Sequence, residues 1–374
     1  MVKKTGKKQK MANRVTIQDI ADALGLSRNT VSKAINNTGI LADTTRQKIL
    51  AKAVEMGYKQ FSYIDPDSLP GAPQPAPPEK NDIALISTWF LNSSHFSAMM
   101  LDKFQLDISK RGYSMSIHIA RPEDIAAKRL PLSLRLEKCA AILCIEVFDP
   151  AYASFLCSTG IPLLFVDAPV DPAGETLPAD ILIMNNSDGI GQFLKYMKEQ
   201  GVNRIGYAGE YMHCRSFFER YMAFRCGLEL LGIPYHREWC ITGKPDTRYA
   251  SEEVTPAENY YFHAIADMPS LPRAFICAND FVALDIMRAL RRHSVKVPDD
   301  VYLLGFDDSP ESRLVTPKLS TVHIHSQILG FTAAELILSR IRNPDLNFRT
   351  CSCETSLILR ESTADKAGKK GKLA

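Results

Sequence analysis

Six prolines fall among the 17 residues from Ile64 to Lys80. Proline has no amide donor and fixes φ, so this stretch can be neither a helix interior nor a central strand. It reads as an extended, semi-rigid linker. The chain must therefore fold as two parts with separate cores, and at 374 residues it is long enough for more than one. Charge divides at the same place. Residues 1–63 hold 12 Lys/Arg against 4 Asp/Glu, a net of +8, while residues 64–365 carry a net of −9. Four lysines from Lys366 onward bring the total to +3. A small basic module beside a mildly acidic body points to a polyanion as partner of the first part.

Several classes are excluded at once. No apolar run reaches the roughly 18–20 residues that cross a bilayer. Five lysines stand within Met1–Lys10, but no apolar segment follows, so the start is not a secretory signal. The composition, 45% hydrophobic and 23% charged, fits a globular protein. Nine cysteines form no C-x-x-C pair, which fits reduced thiols in a cytoplasmic protein. Cys351 with Cys353, and His323 with His325, would each share one face of a strand. Nothing else supplies a ligand set, so neither a metal nor another cofactor is expected. Residues 1–13 and 364–374 read as basic disordered ends.

Residues 14–63 carry helical patterns. Thr16 and Asp19 suit a capped helix start, Ile17, Ile20, Ala21 and Leu24 form an apolar stripe, and Gly25 permits the left-handed turn that ends it. Ser27 can cap a second helix whose Val31, Ala34 and Ile35 face inward. A third helix is predicted from Thr44, boxed with Gln47, to Gly57. Two short helices joined through Gly25 make a helix-turn-helix. In that motif the second helix enters the major groove of double-stranded DNA. Arg28, Asn29 and Lys33 would meet base edges, Arg being suited to guanine and Asn to adenine. The hydroxyls of Ser27, Thr30 and Ser32 suit phosphates.

From Asn81 onward short apolar strands alternate with amphipathic segments. Examples are Ile83–Ser87 with Phe96–Gly112, Ile181–Met184 with Gly189–Gly201, and Ala274–Cys277 with Phe281–His293. Repeated β-α order means parallel sheets flanked by helices, and its length predicts two doubly wound lobes.

Residues Val15–Asn36 closely match V-T-x-x-D-I-A-x-x-x-G-x-S-x-x-T-V-S-[RK]-x-[IL]-N, and Thr45–Tyr58 match T-[RK]-x-x-[IV]-x-x-x-A-x-x-x-G-Y. Further along stand A-x-x-C-A-N-D-x-x-A at Ala274–Ala283, V-P-D-D-V-x-x-x-G-F-D-D-S at Val297–Ser309, P-x-L-[ST]-T-V at Pro317–Val322, and a closing strand at Ser356–Thr363. On these motifs the chain resembles the lactose-repressor (LacI/GalR) family of bacterial transcription regulators, over roughly Arg14–Thr363.

The resemblance implies an all-α helix-turn-helix headpiece on an α/β core like a periplasmic binding protein. The lobes would be 81–185 with 324–354, and 186–323 with 355–363, and a small molecule would bind between them. It adds Thr16 and Asn36, at the ends of the first motif, to the DNA-facing set. Asp280 follows a buried strand and would accept hydrogen bonds from the effector, though its carboxylate could equally cap the next helix. Arg220 matches the arginine of R-x-x-G-F, with Ala223 where glycine is usual. Asp167, after the strand Leu163–Val166, matches another cleft aspartate. Trp89, Ser94 and Phe96 fall where the family places stacking and hydroxyl-binding residues. A sugar-like effector, a homodimer on a pseudo-palindromic operator, nucleoid association and repression follow as expectations.

One departure stands out. The family's N-x-x-A-x-x-L hinge helix is not legible after Tyr58, where Lys-Gln-Phe-Ser-Tyr-Ile-Asp-Pro leads into the linker. That motivates an alternative, a cytoplasmic sensor that acts through protein contacts. An enzyme is not expected: the sequence has no phosphate-binding glycine loop and no nucleophile elbow.

Overall fold

The computed structural model describes residues 15–35, 41–56, 58, 79–88, 95–170, 176–244 and 256–364, in two compact units that divide after Pro78. The basic ends, most of the proline-rich stretch and the residues after Tyr58 lie outside the described residues.

In the first unit, α1 (Ile17–Leu24) starts at a reciprocal cap. The Thr16 hydroxyl accepts from the Asp19 amide at 3.3 Å, and the Asp19 carboxylate accepts from the Thr16 amide at 2.7 Å. Gly25, at φ 63°, ends it in the left-handed region that glycine enters without a Cβ clash. The Ser27 hydroxyl caps α2 (Arg28–Ile35), accepting from the Thr30 amide at 3.1 Å. The third helix, α3 (Asp43–Glu55), begins earlier than expected. The Ala42 carbonyl accepts from the amides of Thr45 and Arg46, which puts Thr44 inside the first turn rather than at the cap. Ile20, Ala21, Val31, Ala34, Ile35, Ile49, Leu50, Ala53 and Tyr58 close a single small core.

The second unit runs β1 (Asp82–Ser87), α4 (His95–Ser109), β2 (Ser114–Ile119), α5 (Pro122–Ala126), β3 (Cys139–Ile145), α6 (Pro150–Ser158), β4 (Leu163–Val166) and β5 (Asp180–Met184). It continues through α7 (Asp188–Glu199), β6 (Ile205–Ala208), α8 (Arg215–Leu230), β7 (Cys240–Ile241), α9 (Pro256–Ala266), β8 (Ala274–Cys277), α10 (Asp280–Arg292) and β9 (Tyr302–Leu304). It closes with α11 (Pro310–Leu314), β10 (Thr321–Ile324), α12 (Ser326–Arg342), β11 (Thr350–Cys353) and β12 (Thr355–Ile358).

The strands form two parallel sheets, ordered β11-β5-β4-β3-β1-β2 and β7-β6-β8-β9. Every residue of β3, β4 and β5 is buried, as expected of parallel strands with both faces covered. β10 and β12 belong to neither sheet. They pair with each other, antiparallel, Thr321 opposite Ile358. The closing strand is shorter than expected, since Glu361–Thr363 turn as a 3-10 helix.

Two local devices place the late elements. Gly330 lets α12 lie against α4, because a Cβ there would stand 2.3 Å from the Met100 carbonyl oxygen. Asp180, wholly buried, accepts from Arg340 Nη2 at 2.9 Å, Arg349 Nη2 at 2.9 Å and the Arg349 amide at 2.8 Å. Burial alone would raise its pKa, but the two guanidinium groups hold the carboxyl below its usual value. The charged cluster docks the chain at β11, the edge of the first sheet.

Candidate functional site

A cavity of about 110 Å³ lies where the carboxyl ends of both sheets meet. The first sheet contributes Ile145 and Glu146 after β3, Asp167 after β4 and Met184 at the end of β5. The second contributes His213, Ser216, Phe217 and Arg220 around the start of α8, Asn279 and Phe281 after β8, and Asp307 after β9. Strand ends are where doubly wound sheets bind ligands, because helix starts and loops converge there. The volume is below the roughly 300–1,000 Å³ of pockets for drug-sized ligands. Anything larger than a few heavy atoms needs the lobes to part. A larger hollow, about 510 Å³, opens beside α6, but its one charged lining residue among the described residues, Arg215, is paired with Glu219 at 2.8 Å.

Arg220 is the centre of the cavity's polar wall. It is buried, its Nε donates to Asn186 Oδ1 at 2.9 Å, and Nη1 donates to the Ala278 carbonyl at 2.6 Å. Its guanidinium carbon lies 3.5 Å from the centroid of the Phe306 ring. These partners fix the plane of the fork. Nη1 also lies 3.6 Å from Asp307 Oδ1. Burial pushes the Asp307 carboxyl up to about 7, although Arg220 opposes the shift. Asp167, at φ 62°, accepts from the amides of Ala168 at 2.8 Å and Ser216 at 3.1 Å. Burial raises its pKa as well, with those bonds and Arg220 opposing. Asp307 thus pairs with the guanidinium while Asp167 is held by backbone amides, and both line the cavity beside the aromatic rings of Phe148, Phe217 and Phe281.

The residues read from sequence are only partly brought together. Arg220 and Asp167 line the cavity; Asp280 does not. Asp280 is the first residue of α10 and is completely buried, its Oδ1 accepting from Thr321 Oγ1 at 2.6 Å and its Oδ2 from the Ser309 amide at 2.7 Å. Nor does it cap its helix: Asn279 does, accepting from the Val282 amide at 2.9 Å. The sequence reading missed Asn279 and Asp307, which do line the cavity. Both motifs were in view, but the facing residue of each pair was not. Trp89, Ser94 and the side chain of Phe96 lie outside the described residues.

On the small unit, Arg28, Asn29 and Lys33 are exposed along α2, and Ser27 and Thr16 are exposed at the two helix starts. The hydroxyls of Ser27 and Thr30 lie 2.8 Å apart, and the Thr16 hydroxyl is occupied by the cap. Ser32 is half-buried, and Asn36 lies outside the described residues.

A helix-turn-helix with an exposed basic second helix, on a two-sheet body with a polar cavity at its strand ends, defines a regulator that binds DNA and a small molecule. The sequence matches "Bacterial regulatory proteins, lacI family" over residues 16–60 and "Periplasmic binding protein-like domain" over residues 194–363. The chain thus carries a lacI-family DNA-binding domain ahead of a periplasmic-binding-protein-like domain, the make-up of a DNA-binding transcription regulator.

Its relatives align over nearly the whole length. The HTH-type transcriptional regulator GalR of Lacticaseibacillus casei is 28% identical, with 93% of this chain and 99% of the relative covered. The HTH-type transcriptional repressor PurR of Mannheimia succiniciproducens is 24% identical, covering 93% and 98%. Among solved structures, a transcriptional regulator CelR–cellobiose complex superposes with a TM-score of 0.65 at 22% identity, covering 93% of this chain and all of that one. The lac repressor dimer bound to operator and the anti-inducer ONPF gives 0.62 at 20%, covering 94% and 100%.

Proposed function

We infer that this chain is a repressor that acts as a homodimer on a pseudo-palindromic DNA operator, with its operator affinity set by a small molecule held at Arg220, Asp167, Asp307 and Asn279. The observation that carries the reading is the fixed Arg220 fork, paired with Asp307 and lining one cavity with Asp167 at the meeting of the sheets. Carboxylates and an amide beside aromatic faces suit a polyhydroxyl ligand, since each ring hydroxyl can donate to one acceptor and accept from the fork. A sugar-like effector fits this wall, and a cellobiose complex among the similar structures supports the class. Linkage requires the effector to favour one lobe arrangement over the other. The two lobes are taken as 81–185 with 324–354 and 186–323 with 355–363; β11 joining the first sheet supports this.

Arg28, Asn29 and Lys33 read bases, while Ser27, Thr30, Ser32, Thr16 and Asn36 meet the backbone. The operator complex among the similar structures supports two headpieces on two half-sites. Among the described residues no helix is long and apolar enough to cross a membrane. A bacterial cytoplasm, next to the nucleoid, is the setting this function needs. Cys214, the thiol in the cavity wall, is pushed well above its usual pKa by burial and is a poor nucleophile, which favours reading the site as one that binds.

The test is a duplex enriched from random DNA by the full-length chain, followed by a salt titration of its binding. Each neutralised phosphate contributes about −0.9 to the log–log slope, so a headpiece contact gives a steep line. A flat line, or no enrichment, would leave a sensor that acts through protein contacts.

A further inference from the structure

Two cavity-lining residues, Asn279 and Asp307, are each followed in sequence by an aspartate that turns away from the cavity. Both of those aspartates reach β10, the strand along which the chain crosses from β9 of the second sheet toward α12 and β11 of the first, with β12 on the way back. Asp280 accepts from the Thr321 hydroxyl at 2.6 Å, and that same hydroxyl accepts from the Asp308 amide at 3.2 Å. Thr321 is fully buried, so one hydroxyl joins both pairs. The Asp308 carboxylate lies 2.9 Å from His323 Nδ1 on β10 and accepts from Arg313 Nη2 at 3.0 Å and from Arg360, just past β12. The backbone continues the grip, since the Asp307 amide donates to the Val322 carbonyl at 2.8 Å. Asp307 and Asp308 both hold positive φ, 109° and 56°, which aims their carboxylates in different directions. Gly305 leaves room for the arrangement, because a Cβ there would stand 2.1 Å from Asp280 Oδ1.

We propose that Asp280, Asp308 and Thr321 are positioning residues that gear the second lobe's wall of the cavity to the crossover strands β10 and β12. The proposal rests on the cavity being the effector site. A ligand that pulls on Asn279 or Asp307 then displaces Thr321 and His323 with it, and β10 and β12 are where one lobe turns against the other. Burial of both ends makes the coupling stiff: the three groups can satisfy one another or leave buried polar atoms unpaired, with little between.

The experiment is hydrogen–deuterium exchange, read by mass spectrometry on the full-length chain, with Thr321→Val, Thr321→Ser and Asp308→Asn. Valine keeps the shape and removes the hydroxyl, while serine restores it. Expected in Thr321→Val is exchange about tenfold faster, as for one lost buried hydrogen bond, at residues 308–309 together with 278–282 and 355–358. Thr321→Ser should stay at the wild-type rates. Asp308→Asn, whose side chain tolerates the same backbone, should reproduce the spread if valine prevents folding. Affinity for the duplex enriched by the wild-type chain should shift by about threefold or more in Thr321→Val and not in Thr321→Ser. Faster exchange confined to 308–309, or a serine variant as perturbed as valine, overturns the proposal. The exchange readings use neither DNA nor effector, so failure of the chain to bind DNA would sink the regulator reading and leave this one standing.

Discussion

At the scale of single residues, the site turns on which of two neighbours faces the cavity. In both Asn279-Asp280 and Asp307-Asp308 the first residue faces inward and the second is spent on β10. Sequence points to both motifs but not to this choice. Asn279 sits in extended backbone at the cap and Asp280 one step into the helix, so their side chains diverge by a rotation that only the finished loop fixes. For Asp307 the deciding fact is a φ of 109°, which no local pattern announces. Arg220 and Asp167 were legible through the family resemblance, Arg220 as the arginine of R-x-x-G-F and Asp167 as a cleft aspartate after a strand. Asp307 also carries a pH signature. A carboxyl whose folded pKa lies above its unfolded value of about 3.9 contributes stability at low pH that is lost as pH rises through the folded value. For Asp307 that value is about 7. The melting temperature of the ligand-free protein should therefore fall between about pH 4 and about pH 7, and fall less in Asp307→Asn. Asp280 and Asp285, both pushed up to about 6 by burial, act in the same sense and His213, whose pKa burial lowers, in the opposite sense in both proteins, so it is the difference between the two profiles that reads Asp307. Parallel profiles would remove Asp307 as an acid with a raised pKa.

At the scale of elements, the helix-turn-helix was legible almost to the residue. Its caps are chemical: Thr16 with Asp19, Gly25 at its left-handed turn, Ser27 with Thr30. The third helix start was misplaced because Asp43, Thr44 and Thr45 are all competent near a helix start, and the Ala42 carbonyl decided among them. Thr16→Ala removes one half of a reciprocal cap on an eight-residue helix. It should cost about 1 kcal/mol of headpiece stability, read by urea denaturation of the full chain followed with headpiece-specific NMR signals. Arg28→Ala leaves the core untouched, since Arg28 is exposed. It should weaken binding to the enriched duplex by about 1–3 kcal/mol and relax preference at one base pair, seen in a fluorescence-anisotropy series of single-base variants. An equal loss on random DNA would show that Arg28 touches phosphate alone.

At the scale of the whole molecule, alternating strands and helices announced two parallel sheets, and that reading holds because buried parallel strands leave continuous apolar runs such as Leu163–Val166. The pairing of β10 with β12 was less visible. These strands are four residues each and are placed by partners far along the chain, among them Ser320 with Ser362 and Arg360 with Asp308. Two compact units with separate cores should melt as two transitions. The enriched duplex should raise chiefly the headpiece transition, and an effector found by screening sugars, phosphosugars and nucleobases chiefly the body's, each by less at the other unit through their linkage. At one hundred times its Kd the gain is about 2.7 kcal/mol, a shift that differential scanning calorimetry resolves. A single transition raised by both would mean that the cores fold as one.

The left-handed backbone at Asp307 and Asp308 has a consequence for descent as well as for mechanism. Asparagine and aspartate both tolerate that conformation far better than branched or bulky side chains. Exchange between the two at position 307 would change the charge offered to a ligand while the loop kept its path. A lineage could thus move from one effector to another at this corner by an isosteric step, with the attachment to β10 inherited unchanged.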